Sequence, residues 1–138
     1  MIINVQLDKH AYLPIKAYEA DAGFDLFAPF DFTLKAHSSI AVDLGVHFEI
    51  PKGYVGFLKS KSGLNVHNNI VCEGVIDSGY TGSIVAKLYN FSDISYSFYR
   101  GQKVTQIVFL PIPDIKLKQV NELSNTARGS KGFGSSGK

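Results

Sequence analysis

Val46-His47-Phe48-Glu49-Ile50-Pro51-Lys52-Gly53-Tyr54-Val55-Gly56-Phe57-Leu58 is the stretch that speaks most directly about the fold. Val46, Phe48 and Ile50 alternate with His47 and Glu49, so one face of an extended segment is apolar and the other polar. Pro51-Lys52-Gly53 then reads as a turn, with proline presetting the second position and glycine closing it, and residues 54–58 resume a strand. The same grammar recurs on both sides. Residues 2–6 alternate weakly, and runs at 84–89, 95–99 and 104–110 are each bounded by Gly, Pro, Asn, Asp or Ser. Strands at this spacing predict an all-β sandwich, barrel or jelly roll. Helix signal is thin: one short element is expected to begin near Ser62 and cover part of 64–69, where Asn65, Asn68 and Asn69 are poor helix formers.

The chain has 138 residues and a mass of 15.1 kDa, the size of one domain. Apolar residues make up 45% and charged residues 19%, and ten Phe and seven Tyr supply core material, a globular rather than disordered composition. Fourteen basic against 12 acidic side chains leave a net charge of +2, too balanced for a general polyanion binder. Cys72 is the single cysteine, so no internal disulfide is available and a reducing cytoplasmic setting is expected. The N-terminus lacks a basic leader, Asp8 and Lys9 interrupt any apolar run, and no stretch reaches the roughly 18 apolar residues of a membrane helix. The sequon Asn90-Phe91-Ser92 is read as accidental in that setting. Two parts are expected: a β domain over 1–126 and a tail over 127–138. The tail holds four glycines, three serines and one aromatic, and should hang free until something orders it.

Five segments carry residues that suit chemistry. Asp21-Ala22-Gly23-Phe24-Asp25-Leu26 sets two carboxylates around a glycine, which suits either a self-capped turn or water-mediated contact with Mg²⁺. Lys59-Ser60-Lys61-Ser62-Gly63 combines cations, hydroxyls and glycine at a strand-to-helix junction, an anion site or an ordinary serine N-cap. In Gly74-Val75-Ile76-Asp77-Ser78-Gly79-Tyr80-Thr81-Gly82, an apolar pair delivers Asp77 to a strand end. There it could orient a water as general base, with Tyr80 offering a ring, or simply decorate a hairpin. Arg100-Gly101-Gln102-Lys103-Val104-Thr105-Gln106-Ile107 carries a half-buried glutamine that must serve either a backbone group or a site. Gly132-Phe133-Gly134-Ser135-Ser136-Gly137 matches G-x-G-x-x-G literally, and Lys138 brings it near a phosphate loop, but no strand precedes it and no helix follows.

In order, DAGFDL, KSG, GVIDSGYTG, RGQKVTQ and RGSKGFGSSG resemble the five signature motifs of the trimeric dUTPases, over nearly the whole chain. The resemblance implies a jelly-roll (β-clip) subunit and a homotrimer whose sites draw on all three chains. It also implies Mg²⁺-dependent hydrolysis of dUTP to dUMP and pyrophosphate, which keeps uracil out of DNA and supplies dUMP for thymidylate synthesis. Carried onto this chain, it makes Asp77 the base for the attacking water and sets Tyr80 under the deoxyribose. The backbone of Gly74, Val75 and Ile76 would read the uracil edge. Lys61, Ser62 and Gly63 would contact phosphates, Asp25 would hold a water of the Mg²⁺ shell, and Gln106 would support that network. In the tail, Phe133 would stack on uracil while Arg128, Gly134, Ser135 and Ser136 hold phosphates.

Four positions depart from the family's usual pattern. Lys61 replaces an arginine, removing the planar fork but keeping the charge. Gln102 stands for aspartate and receives no catalytic role, Val71 for an asparagine on uracil, and Ser136 for threonine. A dCTP deaminase shares the implied fold, but the GVIDSGYTG hairpin and Phe-bearing tail match the hydrolase. A nucleotide-binding regulator would have no need of Asp77, and a single-stranded nucleic-acid barrel fits poorly with a charge of +2. No nucleic-acid or membrane partner is expected, and the location implied is cytoplasmic, or host intracellular for a viral chain. The four histidines, His10, His37, His47 and His67, lack metal-ligand spacing and read as surface or strand residues.

Overall fold

The computed structural model describes residues 1–137; Lys138, which the tail reading includes, lies outside the described residues. Along the chain run β1 (Asn4–Leu7), β2 (Gly23–Phe27), β3 (Phe32–Leu34), β4 (Ser38–Asp43), β5 (Val46–Glu49) and β6 (Tyr54–Lys59). A short helix α1 (Ser62–Asn68) follows, then β7 (Ile70–Ile76), β8 (Val85–Asn90), β9 (Tyr96–Phe98) and β10 (Lys103–Pro111). Six strands form an antiparallel sheet in the order β2-β10-β6-β7-β8-β4, flanked by the two-stranded pairs β1-β5 and β3-β9. Leu26 on one edge strand and Val42 on the other belong to a single buried cluster with Leu58, Leu88 and Ile107. A flat sheet could not bring both edges to one core, so the sheet curls, giving the expected all-β jelly-roll with one short helix.

The alternation over 46–50 behaves as its chemistry requires: Val46, Phe48 and Ile50 are buried, His47 is half-buried and Glu49 exposed. The turn that follows differs in register from the sequence reading. Tyr54 N–H donates to the Pro51 carbonyl at 3.2 Å and Gly53 has φ +87°, so Pro51 opens the turn and Lys52 takes its second position. The helix keeps to two turns and buries only Leu64. Asn69 ends it in the left-handed conformation (φ 54°), which asparagine tolerates better than most residues. Lys61 occupies the N-cap without a side-chain capping bond, so the serine N-cap reading of this segment does not hold.

β2, β3 and β4 are strands that periodicity did not reveal, and β2 shows why. Its Gly23, Asp25 and Leu26 are all buried, and a strand covered on both faces shows no alternation. At the other end, regular structure stops at Pro111, and nearly every residue from Ile112 to Gly137 is exposed. Cys72 is buried in β7, and burial pushes its thiol above the ordinary value, which makes it an unreactive core residue. Among the described residues no helix is long and apolar enough to cross a membrane. Leu58, buried at the centre of the sheet between β10 and β7, is a direct test of the core. Leu58→Ala should cost about 2–5 kcal/mol, read as a lowered urea midpoint at fixed protein concentration.

Candidate active site

β7 changes neighbours part-way along. Ile70, Val71 and Cys72 pair with Asn90, Tyr89 and Leu88 of β8, whereas Glu73, Gly74, Val75 and Ile76 pair with Lys59, Leu58, Phe57 and Gly56 of β6. Beyond Cys72 the β7 and β8 strands part, so the backbone of 73–76 has a strand partner on one side only. The gap is a cavity of about 270 Å³ lined by Val75, Ile76, Asp77, Tyr80, Ser83 and Val85. Asp77-Ser78-Gly79-Tyr80 closes its mouth as a turn: Tyr80 N–H donates to the Asp77 carbonyl at 3.3 Å, with Gly79 at φ +84°. The Tyr80 hydroxyl donates to the Ser83 carbonyl at 3.1 Å, and its ring lies across Gly82. A Cβ at Gly82 would clash with that hydroxyl, so the ring takes this position only over glycine.

A second cluster forms where β2, β10 and β6 end together. Asp25 faces Gln106 in the register, and Gln106 faces Lys59. The Asp25 side chain is 5% exposed, with one oxygen on the Lys61 ammonium and the other 2.6 Å from that of Lys103. Burial opposes its charge, but the hydrogen bonds and charges of Lys103 and Lys61 outweigh that and hold the carboxyl below its usual value. Gln106 donates to the Ser60 carbonyl at 3.0 Å and lies over Gly23, where a Cβ would meet its oxygen. Its partner in this structure is therefore a backbone group. Ser62 and Gly63 open α1, and, its chain neighbours and own helical backbone aside, nothing lies within 4 Å of where a Gly63 side chain would stand.

Within one chain the two clusters sit on neighbouring strands, and the tail residues bond locally. Arg128 Nε donates to the Lys131 carbonyl at 3.0 Å, Ser135 N–H donates to Gly132, and Phe133 is fully exposed. Gln102 holds the 99–102 turn, accepting from Tyr99 N–H and donating to the Tyr96 hydroxyl, which suits its lack of a catalytic assignment. Sequence reasoning passed over Lys103, although a cation opening an apolar strand is a visible sign that an acid lies nearby. It also passed over Ser83, whose only distinguishing feature is its fold position.

Against known proteins, a family model described as dUTPase matches residues 9–137. The chain belongs to the dUTPase family. The deoxyuridine 5'-triphosphate nucleotidohydrolase of Anaplasma marginale is 39% identical over 130 residues, covering 91% of this chain and 88% of that protein. That of Clostridium kluyveri is 34% identical over 135 residues, with coverage of 96% and 94%. The Staphylococcus bacteriophage 80alpha dUTPase with dUPNHPP superposes with a TM-score of 0.92 at 32% identity, over 99% of this chain and 98% of that one. A mutant dUTPase of S. aureus phage phi11, described with a structural Mg(II) ion, gives 0.82 at 28% identity over 88% and 98%.

Among the described residues no group of three His, Cys, Asp or Glu side chains is arranged to hold a metal. Asp25 is an isolated acid whose two oxygens already meet ammoniums, yet a carboxylate has about four acceptor directions, which leaves room for a metal-bound water. The donor set fits a Mg²⁺ carried on phosphates and touched through its waters, and does not fit an all-protein cage.

The lowered Asp25 carboxyl has a consequence for stability. Its contribution is present above the ordinary carboxylate value and is lost as pH falls through the lowered folded value. Asp25→Asn should reduce stability at neutral pH by roughly 1–3 kcal/mol and flatten the acid limb of a plot of urea midpoint against pH.

Proposed function

We propose that this chain hydrolyses dUTP to dUMP and pyrophosphate, and the observation that carries the reading is the slot opened where β7 leaves β8. A planar base entering edge-on meets strand backbone of 74–76 that lacks a partner on that side, a donor and acceptor array suited to the uracil edge. Cytosine would leave those groups unpaired. Tyr80 lines the same cavity with its ring backed by Gly82; in this reading the deoxyribose sits on that ring, where a 2′-hydroxyl would not fit. Asp77 lies at the strand end beside that ring and takes a proton from the water that attacks the α-phosphate.

Lys61, Ser62 and the open backbone of Gly63 meet the phosphates, Lys61 swinging between Asp25 and the substrate or serving both through its three donors. When bound, Mg²⁺ would neutralise phosphate charge, with Asp25 accepting from one of its waters and Gln106 steadying that edge. The arm from 112 onward supports a trimer with shared sites: Leu117, Leu123 and Phe133 are 96%, 87% and 113% exposed, apolar surface that one chain leaves uncovered. Closing over a neighbour's nucleotide, Phe133 would stack on the base for about 1–3 kcal/mol, with Arg128, Gly134, Ser135 and Ser136 on the phosphates. Closure would also keep bulk water from the reaction.

Turnover of dUTP, UTP, dTTP and dCTP with Mg²⁺, following dUMP, pyrophosphate and ammonia separately, tests this reading. Only dUTP should react, yielding dUMP and pyrophosphate; UTP turnover at a comparable rate sinks the role of Tyr80, and ammonia from dCTP sinks the hydrolase. Asp77→Asn should retain dUTP binding and lose about 10²–10⁴-fold in turnover.

A further inference from the structure

We propose that His47 is a positioning residue for the reaction, clamping the loop that carries Asp77 and Tyr80 to the β1-β5 pair; this rests on the reading of that loop given above. His47 projects from β5, opposite Gln6 of β1 in the register. Its Nδ1 lies 2.8 Å from the Thr81 carbonyl oxygen and its Nε2 3.2 Å from an Asp8 carboxylate oxygen. Thr81 sits between Tyr80 and Gly82, the residue on which the tyrosine ring rests. A bond that fixes the Thr81 carbonyl therefore fixes the peptide on which the ring position depends.

The far side of the loop has its own tether. Ser83 donates its hydroxyl to Asp43, which also accepts from Gly45 N–H at 3.0 Å, and Ile84 exchanges backbone bonds with Leu44 and Val46. These secure the stem near Ile84. Thr81 is the contact nearer the tip, and His47 makes it.

The partners also define the charge state of the clamp. A carbonyl oxygen and an ionised carboxylate both lack a proton, so both ring nitrogens must donate for both bonds to exist, and that ring is the imidazolium. The charged groups facing it are Asp8 beyond β1 and Asp43 at the end of β4; on β5 itself, Glu49 is occupied by the Asn4 amide at 2.6 Å. The Thr81 bond, the Asp8 bond and the two carboxylate charges push the imidazole above its ordinary value against a smaller effect of burial. The stabilisation is thus full below that ordinary value and lost as pH rises through the raised one. On deprotonation the Nε2 lone pair faces the Asp8 carboxylate, and the bridge to β1 opens.

Three variants separate the clamp from a merely structural histidine. His47→Ala removes both bonds. His47→Asn keeps an N–H donor as many bonds from the backbone as Nδ1, and His47→Gln keeps one near Nε2. For His47→Ala we expect kcat/KM for dUTP to fall about ten- to a hundredfold, the scale of a misplaced reacting group, with a reduced preference for dUTP over UTP. We expect recovery with His47→Asn and little with His47→Gln. Amide-exchange protection factors over 78–83 should fall in His47→Ala while those of β8 hold, and in the wild type they should hold as His47 titrates, because Nδ1 keeps its proton on the Thr81 carbonyl. Unchanged selectivity with unchanged protection in His47→Ala, or equal loss in His47→Asn, overturns the clamp. A wild-type protein that leaves dUTP intact overturns the reaction instead, and the exchange measurements still decide the clamp.

Discussion

The structure turns on the hand-over within β7. Over 70–72 this strand gives its ladder to β8, and over 73–76 to β6. Each half therefore leaves one backbone side without a strand, and a buried segment must satisfy those groups elsewhere. On the first half Ser60 does so: its hydroxyl accepts from Cys72 N–H at 3.0 Å and reaches the Cys72 carbonyl at 3.3 Å, while α1 follows directly in the chain. Among the described residues the second half has no such plug, and the cavity bordered by Asp77 and Tyr80 opens there. The same change of partner that ends a sheet ladder thus creates the place where a ligand edge can substitute for a strand.

Charge in this protein is handled locally. A net of +2 conceals a buried acid with two ammoniums, Asp25 between Lys61 and Lys103, and an exposed Lys59–Glu73 pair on the adjoining strands. The exposed pair contributes little, whereas removing one member of the buried set leaves charge without compensation. Three elements converge on Asp25: β2 carries it, Lys61 precedes α1 and Lys103 opens β10. Any anion brought to Lys61 would have to compete with the Asp25 carboxylate already held there.

β5 was legible because it has one wet face, and alternation is the imprint of that asymmetry, while β6 was marked off by the turn that precedes it. β2 was not, since Gly23, Asp25 and Leu26 are all covered and a buried aspartate looks like a turn residue until its lysines are located. Asp77 and Tyr80 could be picked from their glycine-rich setting, but the parting of β7 from β8 could not, because pairing is a property of distant segments. His47 illustrates the same limit. As a sequence feature it is a polar residue on the outer face of a strand; its bonds to residues 39 positions back and 34 positions ahead exist only after the chain has closed.

The arm beyond Pro111 adds a constraint from composition. A segment that merely trails in solvent needs no large apolar side chains, and polar or charged residues would serve it better. This arm carries Ile112, Ile115, Leu117, Val120 and Leu123, all exposed, before the glycine-rich end with Phe133. Ordering it costs conformational entropy at every residue, and burial of those five side chains is the available source of compensation. The glycines then serve a different purpose from the aliphatic stretch. The aliphatic part offers apolar area to whatever surface the arm meets, whereas in the glycine-serine end backbone N–H groups of Ser135 and Gly137 turn back onto Gly132 and Gly134.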